Sequence, residues 1–137
     1  SKSDPTGCVF LMDSPEEIAR KFKRAITDSD TERCVRYDPE NKPGVANLMN
    51  IYASVTGKSF DEIESEFAGK GYGVFKPAVG DAVIETLRPI REEAERILAD
   101  KAYLKQVYTD GAMKASSVAR KTLRKVYKRV GLVEKPF

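Results

Sequence analysis

The sequence predicts a mainly α fold, an antiparallel helical bundle with one short N-terminal strand. Three features carry that prediction. Helix start signals recur along the chain, and apolar residues return every three or four positions after each of them. Glycine and proline gather between those stretches, where turns belong. Only Gly7 to Met12 has the unbroken apolar run of a buried strand.

The elements follow in order. Ser14-Pro15-Glu16-Glu17 opens the first helix, with Ser14 as N-cap, Pro15 at the first helical position and Glu17 closing a capping box. Ile18, Phe22 and Ile26 then form an apolar stripe. Thr27 to Gly44 is irregular and rich in turn residues, a length of loop that tends to carry function. A second helix covers Gly44 to Thr56, with Val45, Leu48, Met49, Tyr52 and Val55 on one face and Gly57 as its C-terminal stop. Ser59 and Glu62 form another capping box and start a short helix with Phe60, Ile63 and Phe67 inward. Gly69 to Lys76 is too glycine-rich to stay helical. A long helix follows Pro77 and runs to about Ala99, with Pro89 placed to kink it. Lys101 to Tyr108 is a short helix, Asp110-Gly111 a break, and Ala112 to Val130 a last helix packing Ala115, Val118, Ala119, Leu123, Val126 and Val130.

Composition narrows the chemistry. The longest apolar run, Cys8 to Met12, is too short to cross a bilayer. There is no histidine, which removes Ser-His and Cys-His catalysis and imidazole-bound metal from this segment. Two cysteines, Cys8 and Cys34, make neither a disulfide framework nor a four-cysteine metal site, and fit a reduced, cytoplasmic protein. Net charge is +3, yet Ala112 to Val130 holds seven basic residues and no acidic one, leaving −4 on the rest. Such a helix suits a polyanionic partner or a solvated face. Lys114, Lys121, Arg124, Lys125 and Lys128 are its candidate phosphate contacts.

Three other motifs fail on spacing. Gly57-Lys58-Ser59 would need its P-loop glycine at Tyr52, inside a helix. Gly69-Lys70-Gly71 lacks the third dinucleotide glycine, where Val74 stands. Asp28-Ser29-Asp30 would need a glycine at Arg33 and an acid at Pro39 to bind calcium. Asp4, Asp28, Asp30 and Asp38 lie in loops with no histidine or metal motif beside them.

Several blocks carry more than their pattern. Ser1-Lys2-Ser3-Asp4-Pro5, Thr27-Asp28-Ser29-Asp30, Arg36-Tyr37-Asp38, Lys42-Pro43-Gly44-Val45-Ala46-Asn47-Leu48, Gly69-Lys70-Gly71-Tyr72-Gly73-Val74-Phe75-Lys76 and Glu85-Thr86-Leu87-Arg88-Pro89-Ile90 together resemble the C-terminal part of bacterial tryptophanyl-tRNA synthetases, class I aminoacyl-tRNA synthetases. The resemblance runs from Ser1 to about Leu132. It implies an enzyme that activates tryptophan with ATP and Mg²⁺ and then charges tRNA(Trp), a cytoplasmic homodimer in which tRNA reaches across subunits. In that family the KMSKS loop closes over ATP and its lysines steady the triphosphate. The role maps onto Lys2 as catalytic residue, with Ser1, Lys2 and Ser3 binding ATP, and the helical part contacts the tRNA.

The departures are equally specific. The first lysine and the methionine of KMSKS are missing, and so are the Rossmann nucleotide-binding half and the tryptophan pocket. The chain start therefore reads as the cut edge of a catalytic loop, and the 137 residues alone are expected to be inert, with no bound ATP or metal. The implied domains are 1–12 as the end of the catalytic domain, 13–111 as a helical tRNA-binding domain and 112–137 as a basic helix and tail. The alternatives are a stand-alone helical tRNA-binding module, the same region of a tyrosyl-tRNA synthetase, and a helical interaction domain without an RNA role.

Overall fold

In the computed structural model, residues 5–30 and 34–133 of the 137 are described. They form five α-helices: α1 (Pro15–Arg24), α2 (Pro43–Thr56), α3 (Phe60–Glu66), α4 (Tyr72–Ala99) and α5 (Lys101–Val130). Two compact units result, residues 1–92 and 93–137.

The expected N-terminal strand does not form. Pro5–Gly7 is a single 3-10 turn, and there is no strand among the described residues for Cys8 to Met12 to pair with. Instead, the Phe10 N–H donates to the Asp13 carboxylate at 2.9 Å, and the Asp13 N–H closes a turn on the Phe10 carbonyl. Phe10, Leu11 and Met12 are exposed, while Val9 packs on the core.

The capping boxes form as written. Ser14 accepts from the Glu17 N–H while Glu17 accepts from the Ser14 N–H, and Ser59 and Glu62 repeat the exchange at α3. Each cap of this kind contributes about 1 kcal/mol. Gly57 ends α2 at φ 73°, a left-handed geometry that glycine adopts without Cβ strain.

The core of the first unit takes Ile18 and Phe22 from α1, and Val45, Leu48, Met49 and Tyr52 from α2. Ile63 and Phe67 come from α3 and its cap, and Phe75, Val79 and Val83 from α4. Cys34 and Val35 reach in from the long loop. Tyr52, Phe67 and Phe75 meet edge to face, with centroids 5.0 to 6.3 Å apart. Burying each such side chain contributes about 1.5–3 kcal/mol. Ile26 departs from the predicted stripe. α1 stops at Arg24, and Ile26 lies 89% exposed on the loop.

Two helix boundaries differ from the sequence reading. α4 begins at Tyr72, inside the glycine-rich stretch, because the buried Phe75 extends the Val79–Val83 period back by one turn. Packing there overrides glycine's low helix propensity. α5 continues through Asp110-Gly111. One interior glycine costs about 1 kcal/mol, too little to interrupt a helix of strong helix formers. The side chain of Asp100 starts α5 by accepting from the Tyr103 N–H at 2.9 Å.

Candidate functional site

Three of the sequence blocks converge on one side chain. Lys42, the residue before α2, is only 4% exposed, and its ammonium lies at the meeting of the long loop, α2 and the start of α4. It donates to Asp30 at 2.8 Å, to the Tyr72 hydroxyl at 3.1 Å and to Asp28 Oδ1 at 3.2 Å. The Cys34 carbonyl is more distant, at 3.5 Å. An ammonium has three hydrogens, and the three nearer acceptors use them. Tyr72 then has its own hydrogen for the Cys34 carbonyl, 2.8 Å away, or for Asp28 Oδ1, 2.7 Å away. Asp28 Oδ2 is the one buried side-chain oxygen or nitrogen left without a partner among the described residues.

The electrostatics follow from this packing. Burial alone would pull the Lys42 ammonium down. Its bonds to Asp30, Tyr72 and Asp28 outweigh that and hold it above the usual lysine range. Burial also opposes the Asp28 carboxylate, but the Asp30 N–H, Tyr72 and Lys42 keep it below the usual aspartate range. Burial and the Asp28 bond push the Tyr72 hydroxyl up to about 12. At neutral pH the cluster is thus one ammonium held by two carboxylates, and it pins both ends of the loop. Asp28 and Asp30, whose spacing fails as a calcium loop, are charge partners of Lys42. Asp38 receives the Asn41 N–H and side chain in a turn.

Gly44 completes the arrangement. A Cβ there would stand 2.3 Å from the Ile26 carbonyl oxygen and 3.2 Å from its carbon. The Lys42-Pro43-Gly44 block therefore has three distinct uses: a buried cation, a preset first helical turn, and room for a neighbouring backbone.

The predicted RNA contacts lie on α5. Lys114, Lys121, Arg124, Lys125 and Lys128 are all exposed there. Lys114, Lys121 and Lys128 recur every seven residues, so they drift by only about 20° per repeat, and Arg124 and Lys125 fill the same side. From Lys114 to Lys128 the row is about 21 Å long at helical rise. About a dozen phosphate charges lie along that length of duplex. Tyr108, Met113, Ser117, Arg120, Lys121 and Arg124 line a shallow groove on the same helix. None of the α5 side chains is buried, so Val118, Leu123, Val126 and Val130, predicted to pack, stand open within this unit.

Ser1, Lys2 and Ser3 lie outside the described residues. Among the described residues no group of three or more histidine, cysteine, aspartate or glutamate side chains is placed to hold a metal. No helix among them is long and apolar enough to cross a membrane.

Known proteins resemble this chain closely. The family model of the class I tRNA synthetases (W and Y) matches residues 1–88. The tryptophan--tRNA ligase of Clostridium tetani is 47% identical over 133 residues, covering 97% of this chain and 38% of that protein. The ligase of Wolinella succinogenes is 46% identical over 133 residues, covering 97% and 40%. Among solved structures, tryptophanyl-tRNA synthetase from Campylobacter jejuni superposes with a TM-score of 0.79 at 26% identity, over 96% of this chain and 42% of that one. The enzyme from Mycoplasma pneumoniae gives 0.64 at 26% identity, over 97% and 40%. The chain spans about two fifths of the length of these relatives. It belongs to the class I tRNA synthetases of the W and Y family.

Proposed function

We propose that this chain is the C-terminal part of a tryptophan--tRNA ligase, carrying the end of the ATP loop and the helices that hold tRNA(Trp). The observation behind this is the 46–47% identity to two such ligases over 133 residues. In this reading residues 1–12 end the catalytic domain, 13–111 form the helical tRNA-binding domain and 112–137 the basic helix and tail. The boundary at 111/112 falls inside α5 and marks a change of charge, not the end of an element. The whole enzyme is a cytoplasmic homodimer that activates tryptophan with ATP and passes it to the tRNA. The 137 residues alone do not catalyse this.

Lys2 acts on the leaving pyrophosphate, with the Ser1 and Ser3 hydroxyls beside it on ATP. Negative charge grows there as the phosphoanhydride breaks, and an ammonium that meets it late favours the transition state over bound substrate. At an effective dielectric near 20, one such charge at about 4 Å is worth roughly 4 kcal/mol before losses. Lys114, Lys121, Arg124, Lys125 and Lys128 hold tRNA phosphates.

Charging of tRNA(Trp) with labelled tryptophan by the full-length protein tests the reading. In that protein Lys2→Ala slows activation far more than it weakens tryptophan binding. Equal losses in both would contradict a late contact. A full-length protein that binds tRNA but charges nothing would favour the stand-alone binding module.

A further inference from the structure

Ten residues beyond Ser3, the chain is fastened to α1 and α4 at Asp13. Asp13 Oδ2 accepts the Phe10 N–H at 2.9 Å and also the Lys21 ammonium. The Asp13 N–H closes the turn on the Phe10 carbonyl at 3.1 Å, and Arg91 on α4 donates to the Asp13 carbonyl at 3.4 Å. Lys21 also lies 5.0 Å from the centre of the Phe10 ring. The Asp13 and Lys21 side chains are only 12% and 16% exposed, so water screens their pairing weakly. Lys21, and after it the Phe10 N–H, hold the Asp13 carboxyl below the usual aspartate range.

Helix capping does not account for this. α1 already has its cap in Ser14 and Glu17, with both bonds of the capping box made. Asp13 is spent on the segment before the helix. It joins Phe10 to α1 through Lys21 and to α4 through Arg91. Val9, packed on the core, is the residue next to that joint. These contacts therefore hold the turn from Phe10 to Asp13 against α1 and α4.

We infer that Asp13 and Lys21 are positioning residues for the ATP loop: their ion pair fixes the base from which Lys2 reaches the pyrophosphate. This rests on the ligase reading above. A catalytic group displaced by about 1 Å loses about 100-fold in rate, while substrate sites elsewhere are unaffected. Weakening the pair should therefore lower kcat and leave the tryptophan KM nearly unchanged.

The test is ATP–pyrophosphate exchange by the full-length protein carrying Asp13→Asn, Lys21→Met or Lys21→Arg. The expected result is a kcat lowered about 10- to 100-fold in the first two, with tryptophan KM within about twofold, and recovery of most of the rate in Lys21→Arg. Hydrogen exchange should quicken at residues 8–13 and stay unchanged in α2. Folded Asp13→Asn and Lys21→Met proteins with wild-type kcat would overturn the inference. So would parallel losses in kcat and tryptophan affinity with Lys21→Arg as impaired as Lys21→Met, because that marks a general loss of structure. A wild-type protein without exchange activity would instead refute the ligase reading itself.

Discussion

Replacing Lys42 by methionine removes one charge and keeps most of the volume. The variant leaves Asp28 and Asp30 facing each other with the Tyr72 hydroxyl between the loop and α4. Breaking a fully buried pair costs about 3–5 kcal/mol and an exposed pair about 0–1. Here the cation is 4% exposed and the two carboxylates 27% and 30%, so the orphaned acids regain part of their hydration. A loss of about 2–4 kcal/mol follows, between those limits. Urea unfolding monitored by circular dichroism measures it. Hydrogen exchange places it, because amides of residues 25–30 and 34–42 should lose protection before those of the α2 core. Stability within 0.5 kcal/mol of the wild type, with unchanged exchange in the loop, would refute the reasoning. It would mean that the cluster is replaceable by apolar packing, as some buried ion pairs are.

Other perturbations test separate parts of the account. Gly44→Ala forces a Cβ against the Ile26 backbone and should cost about 1–3 kcal/mol in the same unfolding assay, whereas Gly71→Ala meets no atom within 4 Å. Stability should also depend on pH at both ends. The Asp28 pKa is lowered from 3.8, so its contribution is present above that value and lost as pH falls through the depressed one. Tyr72 is raised from 10.0 to about 12, so its contribution is present below pH 10.0 and lost as pH rises toward 12. The alkaline decline across that window should disappear in Tyr72→Phe. Finally, changing Lys121, Arg124, Lys125 and Lys128 together to glutamine preserves a good helix former at each site. In the full-length protein it should weaken tRNA binding and reduce the slope of log K against log salt by about 3, read by filter binding over a salt series. An unchanged slope would leave the basic row as a solvated face.

Legibility in the sequence followed the range of the interactions. Ser14-Glu17, Ser59-Glu62 and Gly57 act within one helical turn, so residue spacing alone located the helix ends they control. The cores of α1 and α2 followed from three- and four-residue periodicity. The start of α4 was misplaced because Phe75 is buried by residues distant in sequence, and local glycine content pointed the other way. The apolar run before α1 misled for the opposite reason. Its composition suited a strand, but a strand needs a partner, and Asp13 took up the Phe10 amide instead. The Lys42 cluster joins residues up to 44 positions apart, from Asp28 to Tyr72, which no local pattern reveals. Its only trace was that the blocks containing Asp28, Lys42 and Tyr72 were among those carrying the family resemblance. The row on α5 was readable throughout, since a charge pattern on one helix is a local property.

Tryptophan-dependent ATP–pyrophosphate exchange by the full-length protein tests the central claim most directly, with tyrosine as the competing substrate. The account predicts exchange that requires tryptophan and is not supported by tyrosine. Exchange driven by tyrosine, or none with either amino acid, would contradict it.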